Sequence, residues 1–337
     1  MKTLLRLAVL ALAGTAALAL VGNALATQKL SIPRVTATSL TIKVSQVQSD
    51  PQPAKISIYV PSGYSINASA APGTKIGTTT GTVFARDQNI PLPLAGDVIV
   101  VPPTTNAPGC DPVPHLTVWN LALSVAGQTI NLPVHVDQLA GAEAALGAYK
   151  LVVCLAPSDV PAGTPGRSPF GAQLLDATFT TDNTFTVPAG QSVWKTITTP
   201  YAAGTGAPNP VGTVETRAIV GPGEVSIAAK IDKAKRQVKF TGKVTQSGAA
   251  VAGAQVSLLI NGKARFKAKS TATGSYSIVL KKTGKKTTVT FQARTTVAER
   301  DITAAGCASP TPGIPGGCVS ATASPFTALS SKITIRL

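Results

Sequence analysis

Short segments in which apolar and polar residues alternate run along most of the chain. Clear examples are residues 40–44, 56–60 and 119–125. Alternation with a period of two is typical of β-strands that bury one face. Clusters of Gly, Pro and Asn separate these segments, as expected for tight turns. The pattern therefore predicts an all-β protein, with one or two helical turns at most over residues 138–147.

The clearest predicted element is a hairpin over residues 115–138 that turns at Ala126-Gly127. A two-residue turn fixes the cross-strand register. That register pairs apolar residues throughout: Trp119 with Val134, Leu121 with Leu132, and Leu123 with Ile130. Because a slip of one residue would pair apolar with polar positions, the register is well determined.

The first 26 residues have the features of a secretory signal peptide. Lys2 and Arg6 precede an apolar run over residues 7–21, and Ala24-Leu25-Ala26 provides a small-x-small cleavage site. An uncleaved anchor is the alternative, since the run approaches the ~20 residues that span a bilayer. No later apolar run is that long. We therefore expect a secreted or cell-surface protein without a transmembrane segment after cleavage.

Four cysteines fit an oxidising compartment. An even number in an exported chain indicates disulfides, and four cysteines allow three connectivities. Cys110 and Cys154 lie in the first half of the chain, whereas Cys307 and Cys318 flank a short Pro- and Gly-rich segment. We predict the bridges Cys110–Cys154 and Cys307–Cys318. A zinc site is the alternative, although the spacings contain no CxxC pair.

The chain length predicts two domains after the leader. Gly221-Pro222-Gly223 is the preferred boundary, and the Gly/Pro-rich residues 204–210 are the alternative. The predicted organisation is a leader over 1–26, a β-rich domain over 27–223 and a β-sandwich over 224–337. The expected fold class is all-β, with two β-sandwich domains.

The C-terminal part resembles transthyretin-like, or carboxypeptidase-regulatory-like, bacterial immunoglobulin-type modules over about residues 230–296. The matching residues are Gly242-Lys243-Val244-Thr245, Val251-Ala252-Gly253-Ala254-Gln255-Val256 and Gly274-Ser275-Tyr276. The resemblance implies an immunoglobulin-like sandwich that acts as a spacer or binding module, and it implies no catalytic residues. The N-terminal part resembles no family beyond secreted bacterial proteins of unassigned function.

Charge is distributed unevenly between the two predicted domains. The formal net charge is +16. Residues 27–223 hold 10 Lys/Arg and 10 Asp/Glu, whereas residues 224–337 hold 18 Lys/Arg and 4 Asp/Glu. The basic character therefore belongs to the C-terminal domain.

Within that domain the cations follow the strand period. Successive side chains of a strand point to opposite faces, so alternating cations should share one face. Four more cations flank a predicted turn. The predicted polyanion-binding residues are Lys263, Arg265, Lys267, Lys269, Lys281, Lys282, Lys285 and Lys286.

We expect this face to contact an anionic cell-envelope polymer or polysaccharide. Nucleic acid is not expected, because base stacking requires exposed aromatic rings and Phe240, Phe266 and Tyr276 have inward parity. The alternative is a hydrated face whose lysines prevent sheet edges from pairing.

Catalytic, metal-binding and cofactor-binding residues are not expected. The hairpin register places His115 on the Trp119 face and His135 on the opposite face, so the two imidazoles should not meet. Trp194 is either a core residue or a platform for sugar, and Asp176 and Asp182 are too sparse to predict calcium.

These features favour a secreted, non-enzymatic structural or adhesive protein at a bacterial surface. The alternative is a secreted hydrolase or glycan-binding accessory protein with its site in the N-terminal domain.

Overall fold

A computed structural model describes residues 27–105, 110, 114–281 and 287–336. The predicted leader over residues 1–26 lies outside the described residues, as do Lys282, Lys285 and Lys286. Two units make up the described part, and nearly all of their regular structure is β-strand.

The first unit contains the strands up to residue 220 and three 3₁₀ turns. Its strands are β1 Lys29–Val35, β2 Ser39–Ser45, β3 Pro53–Val60, β4 Ser65–Ile66, β5 Lys75–Ala85, β6 Ile90–Val101, β7 Thr117–Val125, β8 Gln128–Gln138, β9 Tyr149–Cys154, β10 Ala172–Asp182, β11 Phe185–Thr186, β12 Ser192–Pro200 and β13 Val214–Val220. The turns are Gly141–Ala145, Pro169–Gly171 and Pro210–Gly212, and the first lies where the sequence predicts helix.

The remaining strands follow residue 222. They are β14 Gly223–Val225, β15 Ala228–Asp232, β16 Gln237–Gln246, β17 Ala249–Ala250, β18 Gln255–Ile260, β19 Lys263–Lys269, β20 Ser275–Lys281, β21 Thr288–Val297, β22 Arg300–Asp301, β23 Cys318–Ala323, β24 Phe326–Leu329 and β25 Ile333–Arg336. One short helix, α1, spans Thr303–Gly306. Among the described residues, no helix has both the length and the apolar character needed to cross a membrane.

The first unit contains a two-stranded sheet of β4 and β11 and one large sheet. The described strands of the large sheet lie in the order β1-β2-β10-β5-β6-β7-β8-β9-β3-β12-β13-β23-β22. One core fills it, with Trp119 and Trp194 buried at 1% and 0% exposure beside residues from almost every strand. The predicted hairpin is confirmed, since Trp119 pairs with Val134 in the expected register.

The sheet closes over its core through β1 and β23. Ser320 Oγ donates to the carbonyl of Gln28 at 2.5 Å, and Thr322 Oγ1 donates to the carbonyl of Leu30 at 2.8 Å. Strand β23 also pairs in parallel with β13. Residues 300–323 therefore belong to the first sheet, although the sequence analysis assigned them to the C-terminal domain. Hydrogen bonds between residues almost 300 positions apart leave no local signal in the sequence.

The second unit is an antiparallel sandwich of two sheets. One sheet has the order β14-β16-β15 with β17 and β20 also paired to β16, and the other has the order β19-β18-β21-β24 with β25 paired to β21. Phe240 and Phe291 meet in the core with ring centroids 4.6 Å apart. The predicted C-terminal β-sandwich and the all-β fold class are confirmed.

Residues of the quoted sequence motifs have structural roles in this sandwich. A Cβ atom on Gly242 would lie 2.0 Å from the Ser226 carbonyl oxygen and 2.6 Å from the Tyr276 ring. Glycine at 242 therefore allows Tyr276 to pack across the strand, where its hydroxyl donates to Ser226 at 2.6 Å. The turn at Asn261-Gly262 has positive φ at both residues, as expected for an Asn-Gly hairpin.

Both predicted disulfides are confirmed, and both lie against the outer face of the first sheet. Cys154 in β9 bonds to Cys110, and Cys318 in β23 bonds to Cys307. The backbone carbonyls of Gly306 and Ser309 accept hydrogen bonds from Arg217 at 3.0 and 2.6 Å. The Cys307–Cys318 bridge thus anchors a segment that covers polar residues of the sheet.

Candidate anion-binding surface

A row of polar side chains crosses the outer face of the second sandwich sheet. Strand pairing places Ser257 between Lys267 on β19 and Arg294 on β21. Cross-strand partners point to the same side of a sheet. Both cations are exposed, and the Ser257 hydroxyl lies between them. The row therefore presents two positive charges and a hydrogen-bonding group to solvent.

A second group of cations lies where the two sheets meet at the edge of the sandwich. Lys243 on β16 and Lys269 on β19 line one groove, so each sheet contributes one lysine. The hydroxyl groups in the same groove come from Thr241, Thr271, Ser275 and Ser277. Ammonium groups and hydroxyls are hydrogen-bond donors suited to phosphate, sulfate or carboxylate oxygens. The groove links the basic residues of the two faces.

Acidic residues are scarce around these cations. The second unit, residues 224–298 and 325–337, holds 17 Lys/Arg and 2 Asp/Glu. Of these acids, Asp232 lies 3.9 Å from Lys235 at a turn, and Glu224 lines a neighbouring groove that also contains Lys243. Among the described residues, no acidic side chain forms an ion pair with the lysines of the groove or with Lys267 and Arg294. Their charge is therefore available to an external anion.

The predicted basic strand is altered by a bulge. Lys263, Arg265, Lys267 and Lys269 are all exposed, but the register shifts between Leu258 and Leu259 and leaves Arg265 without a cross-strand partner. Lys263 then pairs with Ile260, whose parity is that of the buried Leu258. The prediction that all four cations share one face is wrong, because one extra residue reverses the alternation.

The other predicted site residues lie away from the groove or outside the residues that the structure describes. Lys281 ends β20 opposite Gln237, whereas Lys243 is opposite Ser275 at the other end of that strand pair. Lys282, Lys285 and Lys286 lie outside the described residues. Sequence reasoning missed Arg294 as part of the basic surface. It also missed that Lys243 and Lys269, from different sheets, line the same groove. The exposed parity of Arg294 in β21 was the available signal.

All three aromatic side chains keep the predicted parity, since Phe266 pairs with the buried Leu258, but only two of them are buried. Phe240 and Tyr276 are buried at 0% and 3% exposure, whereas Phe266 is exposed at 38%. Burial raises the pKa of Tyr276 to about 12, so the phenol beneath the groove remains neutral at physiological pH. Phe266 is partly exposed because β19 is the edge strand of its sheet.

The two histidines meet, contrary to the prediction. Their rings stack with centroids 4.3 Å apart and an interplanar angle of 8°. His115 precedes β7, so strand alternation does not determine its direction, and its Nδ1 lies 2.9 Å from Asp137 Oδ1. Among the described residues, His115 Nε2 has no hydrogen-bond partner. Both rings are buried, so the stacked pair is shielded from solvent.

Two other candidate positions have structural roles. Trp194 lies in the core with no exposed surface, so it provides no platform for sugar. Asn183 has a positive φ of 54° at the turn after Asp182. The described residues contain no group of three or more His, Cys, Asp or Glu side chains that could hold a metal ion.

Comparisons with known proteins show limited similarity. No family model matches the chain, and no curated protein matches it. A putative membrane-anchored protein from Corynebacterium diphtheriae matches 80% of this chain at 12% identity with a TM-score of 0.20. The chain spans about half of that protein, at 48% coverage. The D00-D0 domain of intimin matches 63% of this chain and 91% of its own length, at 13% identity and a TM-score of 0.19. At these TM-scores neither similarity bears on fold or function.

Proposed function

We propose that the protein is exported and non-enzymatic, and that its basic sandwich binds an anionic cell-envelope polymer in a structural or adhesive role. The convergence of Lys243 and Lys269 in one hydroxyl-lined groove carries the proposal. Lys267 and Arg294 extend the basic surface around the sandwich edge. A polymer with repeated negative charges could contact both regions at once, which strengthens binding through multiple weak contacts.

The electrostatic character of the surface determines how the ligand would be recognised. Exposed charges attract over a Debye length of ~8 Å at physiological salt. Hydroxyl groups from the groove would then donate short hydrogen bonds to the anionic oxygens. Because the contacts lie on strands and at a groove rather than in a deep pocket, the site suits a flexible polyanion better than a small molecule.

A charge-reversal experiment tests this function. The double variant Lys243→Glu/Lys269→Glu should weaken binding to isolated cell wall and to heparin at least tenfold at low salt. Lys233→Glu/Arg236→Glu changes the net charge equally but lies at the opposite end of β16, about 23 Å along the strand. It should weaken binding much less. Equal losses in the two variants would show that only net charge matters.

The salt dependence provides a second criterion. Binding of the unaltered protein should fall steeply between low and physiological salt, because screening shortens the range of attraction. The binding experiments should use the full chain, because residues 300–323 pair with the first sheet and the C-terminal part cannot be separated at residue 223. Binding that persists at high salt in both variants would place recognition elsewhere in the molecule.

A further inference from the structure

Asp50 carries a carboxylate in the loop between β2 and β3, and this residue is only 3% exposed. The backbone nitrogen of Thr27 lies 3.0 Å from Oδ1 and 3.1 Å from Oδ2. The Thr27 hydroxyl donates to Oδ2 at 2.8 Å, and the backbone N–H of Val47 donates to Oδ2 at 3.2 Å. Thr27 therefore supplies two of the three donors to the carboxylate, and its backbone nitrogen lies within 3.1 Å of both oxygens.

No cation accompanies this buried charge in the described part of the chain. Among the described residues, no Lys, Arg or His side chain forms an ion pair with Asp50. Arg86 reaches the Gln173 side chain at 2.6 Å, and Gln173 in turn donates to the backbone carbonyl of Asp50 at 2.9 Å. Burying a carboxylate is costly unless a cation pairs with it. The geometry leaves the nitrogen of Thr27 as the group able to supply that cation.

Thr27 follows Ala24-Leu25-Ala26, the small-x-small sequence expected to precede a signal-peptidase site. We propose that cleavage after Ala26 makes Thr27 the first residue and that its α-ammonium group forms a buried ion pair with Asp50. Hydrolysis breaks the Ala26–Thr27 amide bond, with water supplying OH to the carbonyl carbon and H to the nitrogen. At neutral pH the new acid releases a proton and the new amine binds one.

This reaction changes what Thr27 offers to Asp50. A peptide nitrogen has one N–H, which the two carboxylate oxygens must share. An ammonium group has three N–H donors and a positive charge, so each oxygen obtains its own charge-assisted hydrogen bond. Removal of the leader thereby completes the environment of Asp50 and couples processing to stability of the first unit.

Both partners of the pair are held in place by the fold. The Gln28 carbonyl accepts a hydrogen bond from Ser320, and the Gln28 side chain donates to Gln46 Oε1 at 3.3 Å. One additional residue before Thr27 would move the terminal nitrogen about 3.8 Å away, the spacing of consecutive Cα atoms. It would also leave a neutral amide at Thr27. The pair therefore depends on cleavage at one particular bond.

The first test determines the terminus and the second measures the interaction. The chain, exported with its leader from a bacterial host, should begin at Thr27 by N-terminal sequencing and intact mass, and any other first residue would overturn the proposal. Asp50→Asn is then made in two chains, one that begins at Thr27 and one that begins at Ala26. It should lower the Tm by about 5 °C or more in the first chain and by markedly less in the second, where only the hydrogen bonds from Val47 and from Thr27 itself are weakened.

Asp97→Asn is the matched control, because it removes the same charge from an exposed pair with Lys75. It should change the Tm equally in the two chains. Equal losses from Asp50→Asn in both chains would contradict the ion pair. If Asp50→Asn does not fold, the two chains with Asp50 intact still test the proposal. The chain that begins at Thr27 should have a higher Tm than the chain that begins at Ala26. Equal Tm values would refute the proposal.

Discussion

In the first unit, the outer face of the sheet carries His135 and Glu215, each with no exposed surface. Glu215 accepts a hydrogen bond from Thr311 in the segment closed by the Cys307–Cys318 bridge, and His135 stacks on His115. In the second unit, the outer faces carry Lys239, Lys243 and Lys267 in contact with water. The outer sheet faces are thus kept from associating with other molecules in two ways. In the first unit other parts of the chain cover them, and in the second unit they carry charge. The covered face needs partners for every buried polar group, whereas the open face needs charge to prevent association.

The comparison explains why the charge balance differs between the units. A covered face can hold balanced acids and bases, because each buried ion requires a counter-ion. An open face can carry unbalanced charge, since solvent and dissolved ions compensate it. Excess positive charge is therefore compatible with folding in the second unit, and it is available there for an external ligand.

The buried pair of Glu215 and Arg217 should give the largest effect. Arg217→Ala removes the cation and leaves the carboxylate buried, which should cost about 3–5 kcal/mol of unfolding free energy. Lys75→Ala, which breaks the exposed pair with Asp97, should cost about 0–1 kcal/mol. Denaturant unfolding followed by tryptophan fluorescence measures both, because both tryptophans lie in the first unit.

A matched replacement sharpens this test. Changing both residues together, Glu215→Leu with Arg217→Met, should recover most of the lost stability, because no unpaired charge remains. A double variant as unstable as Arg217→Ala would show that the backbone hydrogen bonds from Arg217 to Gly306 and Ser309 matter more than the charge.

The disulfides should give the next largest effects. Replacing Cys110 and Cys154 by Ser should cost about 4 kcal/mol, and replacing Cys307 and Cys318 should cost about 3 kcal/mol, because the longer loop loses more entropy when closed. Both changes should lower the tryptophan-detected transition and leave unfolding of the second unit unchanged. A loss confined to the second unit would contradict the assignment of residues 307–318 to the first sheet.

Local sequence patterns were sufficient for much of the fold. The alternation around Trp119, the turn at Ala126-Gly127 and the Asn261-Gly262 hairpin each depend on residues close in the chain, so periodicity and turn preferences determine them. The pairing of cysteines followed from their separation. These features were predicted correctly because the interactions that fix them are short in sequence.

Non-local contacts account for what the sequence did not predict. Strand β23 reaches β1 from almost 300 residues away, and His115 meets His135 because the chain bends before β7 begins. A single bulged residue, Arg265, reverses the face on which Lys263 lies. Periodicity describes a regular strand, but it does not indicate where a bulge or bend interrupts the strand. It also does not indicate which distant segment packs against it.

Two tyrosines, Tyr276 buried in the second unit and Tyr201 half-buried in the first, provide the smallest expected effects in the comparison between the units. Tyr276 Oη donates to the Ser226 carbonyl at 2.6 Å, and Tyr201 Oη donates to the Leu155 carbonyl at 2.5 Å. Burial raises the pKa of Tyr276 to about 12, and burial followed by the Asp159 carboxylate raises the pKa of Tyr201. Each hydroxyl is therefore more stable neutral in the folded protein than in the unfolded chain.

Each Tyr→Phe change should cost about 1 kcal/mol at about pH 7, the usual contribution of one hydrogen bond. A raised pKa in the folded state means that the stabilisation is complete below the ordinary tyrosine pKa of about 10. For Tyr276 it is then lost as the pH rises toward 12. Tyr276→Phe should thus reduce the alkaline loss of stability in the second unit, and Tyr201→Phe should do so in the first. Unfolding of the two units at about pH 7 and about pH 11 measures this, and an alkaline loss unchanged by Tyr276→Phe would assign it to the deprotonation of lysines instead.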